Sequence, residues 1–440
     1  MYWSVSHRIL SILLLIFICL GIFIFGGVSD EFYFINAVII IFSFCLTTSV
    51  SKYNVSTIQI FGLASLILLG LSPRVEYTLE YAYRFPTTMI FETYAYASWL
   101  AFIGIISCTV TWFFFKNETH YYYKPEFKQT NYLGFMALST FSVILISAYN
   151  SFDLTSIMYR SKDQNFAIEL GTTGRLFYKF ILFPMPALCF IMYLNFAKRT
   201  SFVSYYLFFM FIIFNSPISM SRWLTAALYS CLLVTIYPNL FQRKNVLILM
   251  LFIGLLFVFP FLDFFRHGIQ SDDGVQKLIE FRWIIAGHFD SFQNFVLMVR
   301  EYSSLTYGYQ LLGALLFFIP RTLWLDKPIS TGTQMARDLN LPFENIAMNF
   351  FGEGYINFGL FGVILFGAIF GFILASLDNM KFNRSFLINT VLSRMMTVYF
   401  IWVFFCIRGG LNNAVTQIVG ISIAIFIVYF LCCKRMKIND

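Results

Sequence analysis

Apolar runs of about twenty residues recur along this chain with short polar breaks between them, and only a helix lets a run of that length cross hydrocarbon with its backbone hydrogen bonds satisfied. The runs fall near Ile9–Val28, Phe32–Val50, Thr57–Leu71, Tyr96–Phe115, Tyr132–Tyr149 and Phe177–Phe196. They continue near Phe202–Pro217, Trp223–Pro238, Val246–Phe264, Phe351–Leu377, Phe386–Ile407 and Leu411–Leu431. Only 12% of residues are charged, where a soluble domain keeps about a quarter. The expected fold is therefore an all-α polytopic integral membrane protein of about twelve transmembrane helices. The first run follows only His7 and Arg8 and has no small-residue cleavage site, so it reads as a retained helix.

Loop charges orient the bundle, because cytoplasmic loops collect Lys and Arg. With the N-terminus inside, the inner loops hold Arg8, Lys52, Lys116, Lys124, Lys128, Lys198, Arg199, Arg243, Lys244, Lys381, Arg384, Lys434, Arg435 and Lys437. Their acids are Glu118, Glu126, Asp378 and Asp440. The outer loops carry a small acidic excess, so the net charge of +8 is a topology signal rather than a nucleic-acid footprint. Both termini are expected in the cytoplasm. No cysteine falls in an outer loop, so no disulfide framework is expected; Cys432 and Cys433 sit at the inner end of the last run.

Polar mass is lopsided. Residues 1–264 read as nine spans with outer loops near 72–95 and 150–178, residues 265–350 as one large outer loop, and residues 351–440 as three more spans with a cytoplasmic tail. The inner loops are short and carry no phosphate-cradling glycine motif, so nucleotide chemistry is not expected. Within the large loop, Phe289–Arg300 and Leu311–Ile319 are too short to span and fit helices lying in the headgroup layer or packed on the bundle.

The outer side is rich in arginine: Arg74, Arg84, Arg160, Arg175, Arg222, Arg266, Arg282, Arg300, Arg321, Arg337 and Arg408. Guanidinium groups fork onto phosphate oxygens and stay charged beside lipid. Arg222 lies in Ser219-Met-Ser-Arg-Trp223, and Arg408 in the turn before the last run. Glu353, between two glycines, is the first candidate for a base, with His288 and Asp290 of Gly287-His-Phe-Asp290 as the alternative. A lone histidine is more often structural, and a carboxylate here also serves to pair an arginine. Trp324, Tyr307 and Tyr309 suit either sugar stacking or interfacial anchoring.

Arg160 and Gly171 are separated by ten residues, and so are Arg321 and Gly332. Residues 319–328 read Ile-Pro-Arg-Thr-Leu-Trp-Leu-Asp-Lys-Pro, and Gly352-Glu-Gly-Tyr-Ile-Asn-Phe-Gly359 follows at the start of the next run. With these motifs in the third and fifth outer loops, the chain resembles the Wzy-type O-antigen (oligosaccharide repeat-unit) polymerases. That resemblance implies a periplasmic site, and a nascent chain moved from undecaprenyl diphosphate onto a hydroxyl of an incoming lipid-linked repeat unit. It implies a place in the bacterial inner membrane, with the lipid-linked oligosaccharide, membrane lipid and a chain-length regulator as partners; no outer constellation shows metal-ligand spacing, so neither metal nor cofactor is expected. Arg160 and Arg321 become the diphosphate-facing cations, with Arg222, Arg282, Arg408 and Lys327 supporting them and Gly171 and Gly332 completing the motifs. An O-antigen ligase shares this architecture, and a lipid-linked oligosaccharide flippase is the rival from another class; transporters more often place ionisable groups at mid-membrane, where only Arg394 is expected here.

Overall fold

The computed structural model describes residues 31–48, 55–79, 93–117, 128–153, 176–195, 201–237, 244–254, 289–302, 304–341, 346–381 and 391–435, with positions 157, 158, 174 and 344 besides. Helices α1 (Glu31–Thr48), α2 (Thr57–Thr78), α3 (Tyr94–Phe115), α4 (Tyr132–Tyr149), α5 (Tyr178–Tyr193), α6 (Phe202–Phe214), α7 (Arg222–Ile236) and α8 (Lys244–Ile253) form the first part. Three shorter helices follow, α9 (Ser291–Glu301), α10 (Tyr309–Leu315) and α11 (Thr331–Asp338). The chain closes with α12 (Phe350–Lys381), α13 (Val391–Arg408) and α14 (Leu411–Cys432). Among the described residues six helices, α1, α2, α3, α4, α12 and α14, are long and apolar enough to cross a membrane. The protein is a membrane-embedded helical bundle. Ile9–Val28 and the part of Val246–Phe264 beyond residue 254 lie outside the described residues.

Side-chain contacts sort the helix ends onto two faces. On one face, Asp378 at the end of α12 meets the start of α2 and Trp112 near the end of α3, and Arg394 near the start of α13 reaches Asn195 just past α5. A two-stranded antiparallel ribbon joins the same face, pairing β1 (Lys128–Thr130) before α4 with β2 (Cys433–Arg435) after α14. On the other face, Trp99 donates to Glu31, Tyr94 to Glu76, and Asn150 to Tyr178. Helices α9, α10 and α11 belong to this second, loop face.

Helix α2 is the axis of the bundle, buried along its length. Pro73 lacks an N–H and would clash with the carbonyl four residues earlier, and the preceding turn, Leu66–Leu71, widens to π geometry. The buried Asn36 amide of α1 then donates to the Gly70 carbonyl at 2.8 Å. Helix α5 repeats this solution before Pro184 and Pro186: Asn215 donates to the Phe183 carbonyl at 2.8 Å and accepts from Ala187 N–H at 3.0 Å. Hydrocarbon offers no water to released backbone groups, so a buried asparagine serves each proline break.

The largest departure from expectation lies in α12. A continuous helix would hold residues 350 and 370 about 30 Å apart, yet the rings of Phe350 and Phe370 are 4.9 Å apart at their centroids. The backbone breaks at Phe358 (φ −144°) and Gly359 (φ 63°), a left-handed value that favours glycine. Residues 350–357 thus form a two-turn helix that rises from inside the bundle to the loop face, and residues 360–381 descend beside it. Gly354 and Gly362 pack backbone to backbone where the two limbs meet. Phe351–Leu377, expected as one span, is a re-entrant limb followed by a span. Irregular backbone at this depth is tolerated because protein encloses it: Met348, Asn349, Phe350 and Phe351 are all buried.

Asp378 closes the opposite end of this element. Its carboxylate accepts from Thr57 N–H at 2.9 Å, Ser56 Oγ at 2.6 Å, Thr57 Oγ1 at 2.9 Å and Trp112 Nε1 at 2.9 Å. A negative charge at a helix N-terminus is favourable, and here it satisfies donors that would otherwise be stranded. Asp378→Ala strands the Thr57 N–H, the Ser56 hydroxyl and the Trp112 N–H, while the Thr57 hydroxyl keeps the Leu374 carbonyl; the protein in detergent is expected to lose about 3 kcal/mol or more of stability, read as a lower unfolding temperature. Asp378→Asn should retain part of it.

Candidate functional site

The loop face is built on helix starts. Helices α7, α11 and α14 all begin there, each presenting the partial positive charge and unsatisfied N–H groups of an N-terminus. Glu353, on the re-entrant limb, ties two of them together. It is 2% exposed; one oxygen accepts from Leu411 N–H at 3.0 Å and the other from Thr331 Oγ1 at 2.6 Å. The first-turn donors of α14 and α11 therefore meet one carboxylate, and Gly410 lies against it at close range.

Gly332 has a steric reason. A Cβ there would run into the Ile346 carbonyl oxygen, in the segment that leads into the re-entrant limb. Asn357, fully buried, holds the top of that limb to the loop: it accepts from Thr306 Oγ1 at 3.1 Å and from Leu311 N–H at 3.2 Å.

The helix ends that carry two of the expected arginines pack at one corner. Helices α7 and α13 pack antiparallel, with Cys231 donating to the Arg394 carbonyl toward one end and Trp223 against Phe405, 5.8 Å between centroids, toward the other. That register places Arg222, the first residue of α7, beside the end of α13 that carries Arg408, three residues before Leu411. Arg408 suits a helix C-terminus. Arg222 does not suit an N-terminus, where a cation is disfavoured by up to about 1 kcal/mol; helix stability does not explain it. Among the described residues, the buried indole N–H of Trp223 meets no hydrogen-bond partner, and neither does Asn412 Oδ1 in the first turn of α14. Each unmade bond costs about 1–3 kcal/mol, so these two groups hold donor and acceptor capacity that the described residues leave unused.

Arg321 and Lys327 are placed differently. Arg321 is exposed and donates to the carbonyls of Lys327 at 2.6 Å and Pro328 at 3.2 Å. Lys327 donates to the carbonyls of Phe317 at 2.7 Å and Ile319 at 2.8 Å. Partial burial, and then the Arg321 charge, draw the Lys327 ammonium below its ordinary pKa. The two cations spend these donors on their own loop.

Arg160, Gly171, Arg282 and His288 lie outside the described residues. Asp290 is buried at the start of α9, near a polar cluster that sequence reasoning missed. There Glu76 accepts from Tyr94 and Ser72, both at 3.2 Å, and Ser72 also reaches the Phe289 carbonyl. Arg74, 3% exposed, turns instead to Asn36 and lies 5.0 Å from the centre of the Tyr33 ring. Arg74 and Glu76, just past the end of the Thr57–Leu71 run, were the available signal. Among the described residues Arg337 pairs with Glu344 at 2.8 Å on the exposed surface. Compared with protein families, curated proteins and solved structures, the chain gives no match.

Gly332→Ala is expected to cost about 1–3 kcal/mol through overpacking. Thermal unfolding in detergent measures it, with helical content unchanged.

Proposed function

We propose that this protein polymerises oligosaccharide repeat units carried on undecaprenyl diphosphate, as the resemblance to Wzy-type polymerases implies, with the loop face periplasmic and both termini cytoplasmic in a twelve-span topology. The observation that carries the reading is the corner where the helix ends bearing Arg222 and Arg408 pack beside the start of α14, with the Trp223 N–H and Asn412 Oδ1 unused among the described residues. In the reaction, the bond between the anomeric carbon of the nascent chain and its diphosphate breaks. A bond to a hydroxyl oxygen of the incoming unit forms, and the lipid diphosphate leaves with the electron pair. Charge builds on that leaving group, and preorganised cations and helix N-termini stabilise it without reorganising. The energy lies in the diphosphate linkage, in keeping with the lack of any nucleotide motif.

Arg222 and Arg408 are assigned the diphosphate, Arg321 and Lys327 the shape of the loop. Glu353 is assigned the proton of the acceptor hydroxyl, since each carboxylate oxygen keeps a lone pair beyond the bond it makes.

Purified protein in liposomes, given lipid-linked repeat units alone, should yield a ladder of chain lengths. Absence of the ladder from a well-folded sample sinks the reading, and transfer only to a lipopolysaccharide core acceptor would favour a ligase. Arg222→Lys and Arg408→Lys should each lower turnover by about 100-fold, because lysine keeps the charge and loses the fork. Glu353→Gln can still accept from Leu411 and donate to Thr331 through its amide. It is expected to keep stability within about 1 kcal/mol and to lose about 100-fold or more in turnover. Full activity in Glu353→Gln would reduce Glu353 to a positioning residue.

A further inference from the structure

The stretch between α10 and α11 is built to be rigid, yet its tip is apolar and uncovered. Leu323 is 81% exposed, Leu325 82% and Phe318 57%, and Leu312 and Leu315 are exposed on one side of α10. Loops on an aqueous surface do not usually gather such side chains. The backbone turns at Pro320, whose carbonyl accepts from the N–H groups of Leu323 and Trp324. Arg321 and Lys327 then clamp the turn through four carbonyls, and Tyr309 donates to the Asp326 carbonyl while its ring packs against Trp324.

We propose that residues 312–325 form a preformed wedge seated in the lipid leaflet at the loop face, with Leu323 and Leu325 among the acyl chains. Three observations name lipid as the occupant. Helix α10 packs on the spans α14 and α12, and its Leu311 N–H meets Asn357 below the hairpin apex, so the wedge starts at membrane depth. Trp324, between the two leucines, and Tyr309, packed against it, are the aromatic types that anchor at a membrane interface. Arg321 and Lys327 lie where cations meet headgroup phosphates while their stems follow apolar surface. The inference does not depend on the reaction assigned above.

Spin labels on Leu323→Cys and Leu325→Cys, in full-length protein lacking other reactive cysteines, test it in phosphatidylethanolamine–phosphatidylglycerol nanodiscs holding one copy each. Collisions with oxygen, relative to a water-soluble nickel chelate, should be several-fold more frequent than at a label on Arg337→Cys. A ratio equal to that at residue 337 places the tip in water, and exclusion of both reagents places it against protein; either overturns the proposal. A label-free measurement guards against disturbance of the turn: brominated lipid should quench a fluorescence component that disappears in Trp324→Phe. Quenching identical in the two proteins counts against the wedge.

Discussion

A helix that begins inside hydrocarbon leaves backbone N–H groups with no water to meet, and the bundle depends on how that demand is answered. One element answers it at both faces. Asp378 near the foot of α12 receives the first turn of the axial helix α2, and Glu353 on its re-entrant limb receives the first turn of α14. A carboxylate is costly to bury alone. Next to a helix start each charge is compensated, and in return it fixes where that helix begins. Asn36 and Asn215 do the neutral version of the same work at the two proline breaks.

The candidate site follows from this arrangement. Because Glu353 gathers the starts of α14 and α11, the turn from Arg408 to Leu411 is held against the loop rather than left to wander. Because α7 and α13 run side by side, Arg222 arrives at the same corner. From residue 289 onward the described part of the large loop continues the bundle: α9 is buried along nearly its whole length, and Asn357 stitches the start of α10 to the membrane-embedded hairpin.

Hydropathy made most helix positions legible. Tyr132–Tyr149 coincides with its apolar run, and the starts of α6 and α14 match to the residue, since transfer into lipid depends chiefly on composition. Direction is a different matter. The run near Phe351 is apolar on both limbs of the hairpin, so hydropathy does not show the reversal at Phe358 and Gly359. Phe289–Arg300 and Leu311–Ile319 looked alike as short apolar stretches, yet α9 is enclosed by neighbours and α10 is half uncovered; packing partners distant in sequence decide that. Arginine chemistry pointed to phosphate at Arg321, whereas local geometry gives two of its donors to carbonyls. Asp378 was counted among the loop charges because a tally of signs cannot see Ser56 and Thr57 arriving from 322 and 321 residues away.

The ribbon between residues 128–130 and 433–435 has a temporal meaning. Its first strand is made when less than a third of the chain exists, and it waits for a partner some three hundred residues later. Contacts this remote in sequence close slowly. The clasp cannot shut until α14 has been synthesised and inserted, so the helices from α4 onward are ringed only at the end of biogenesis.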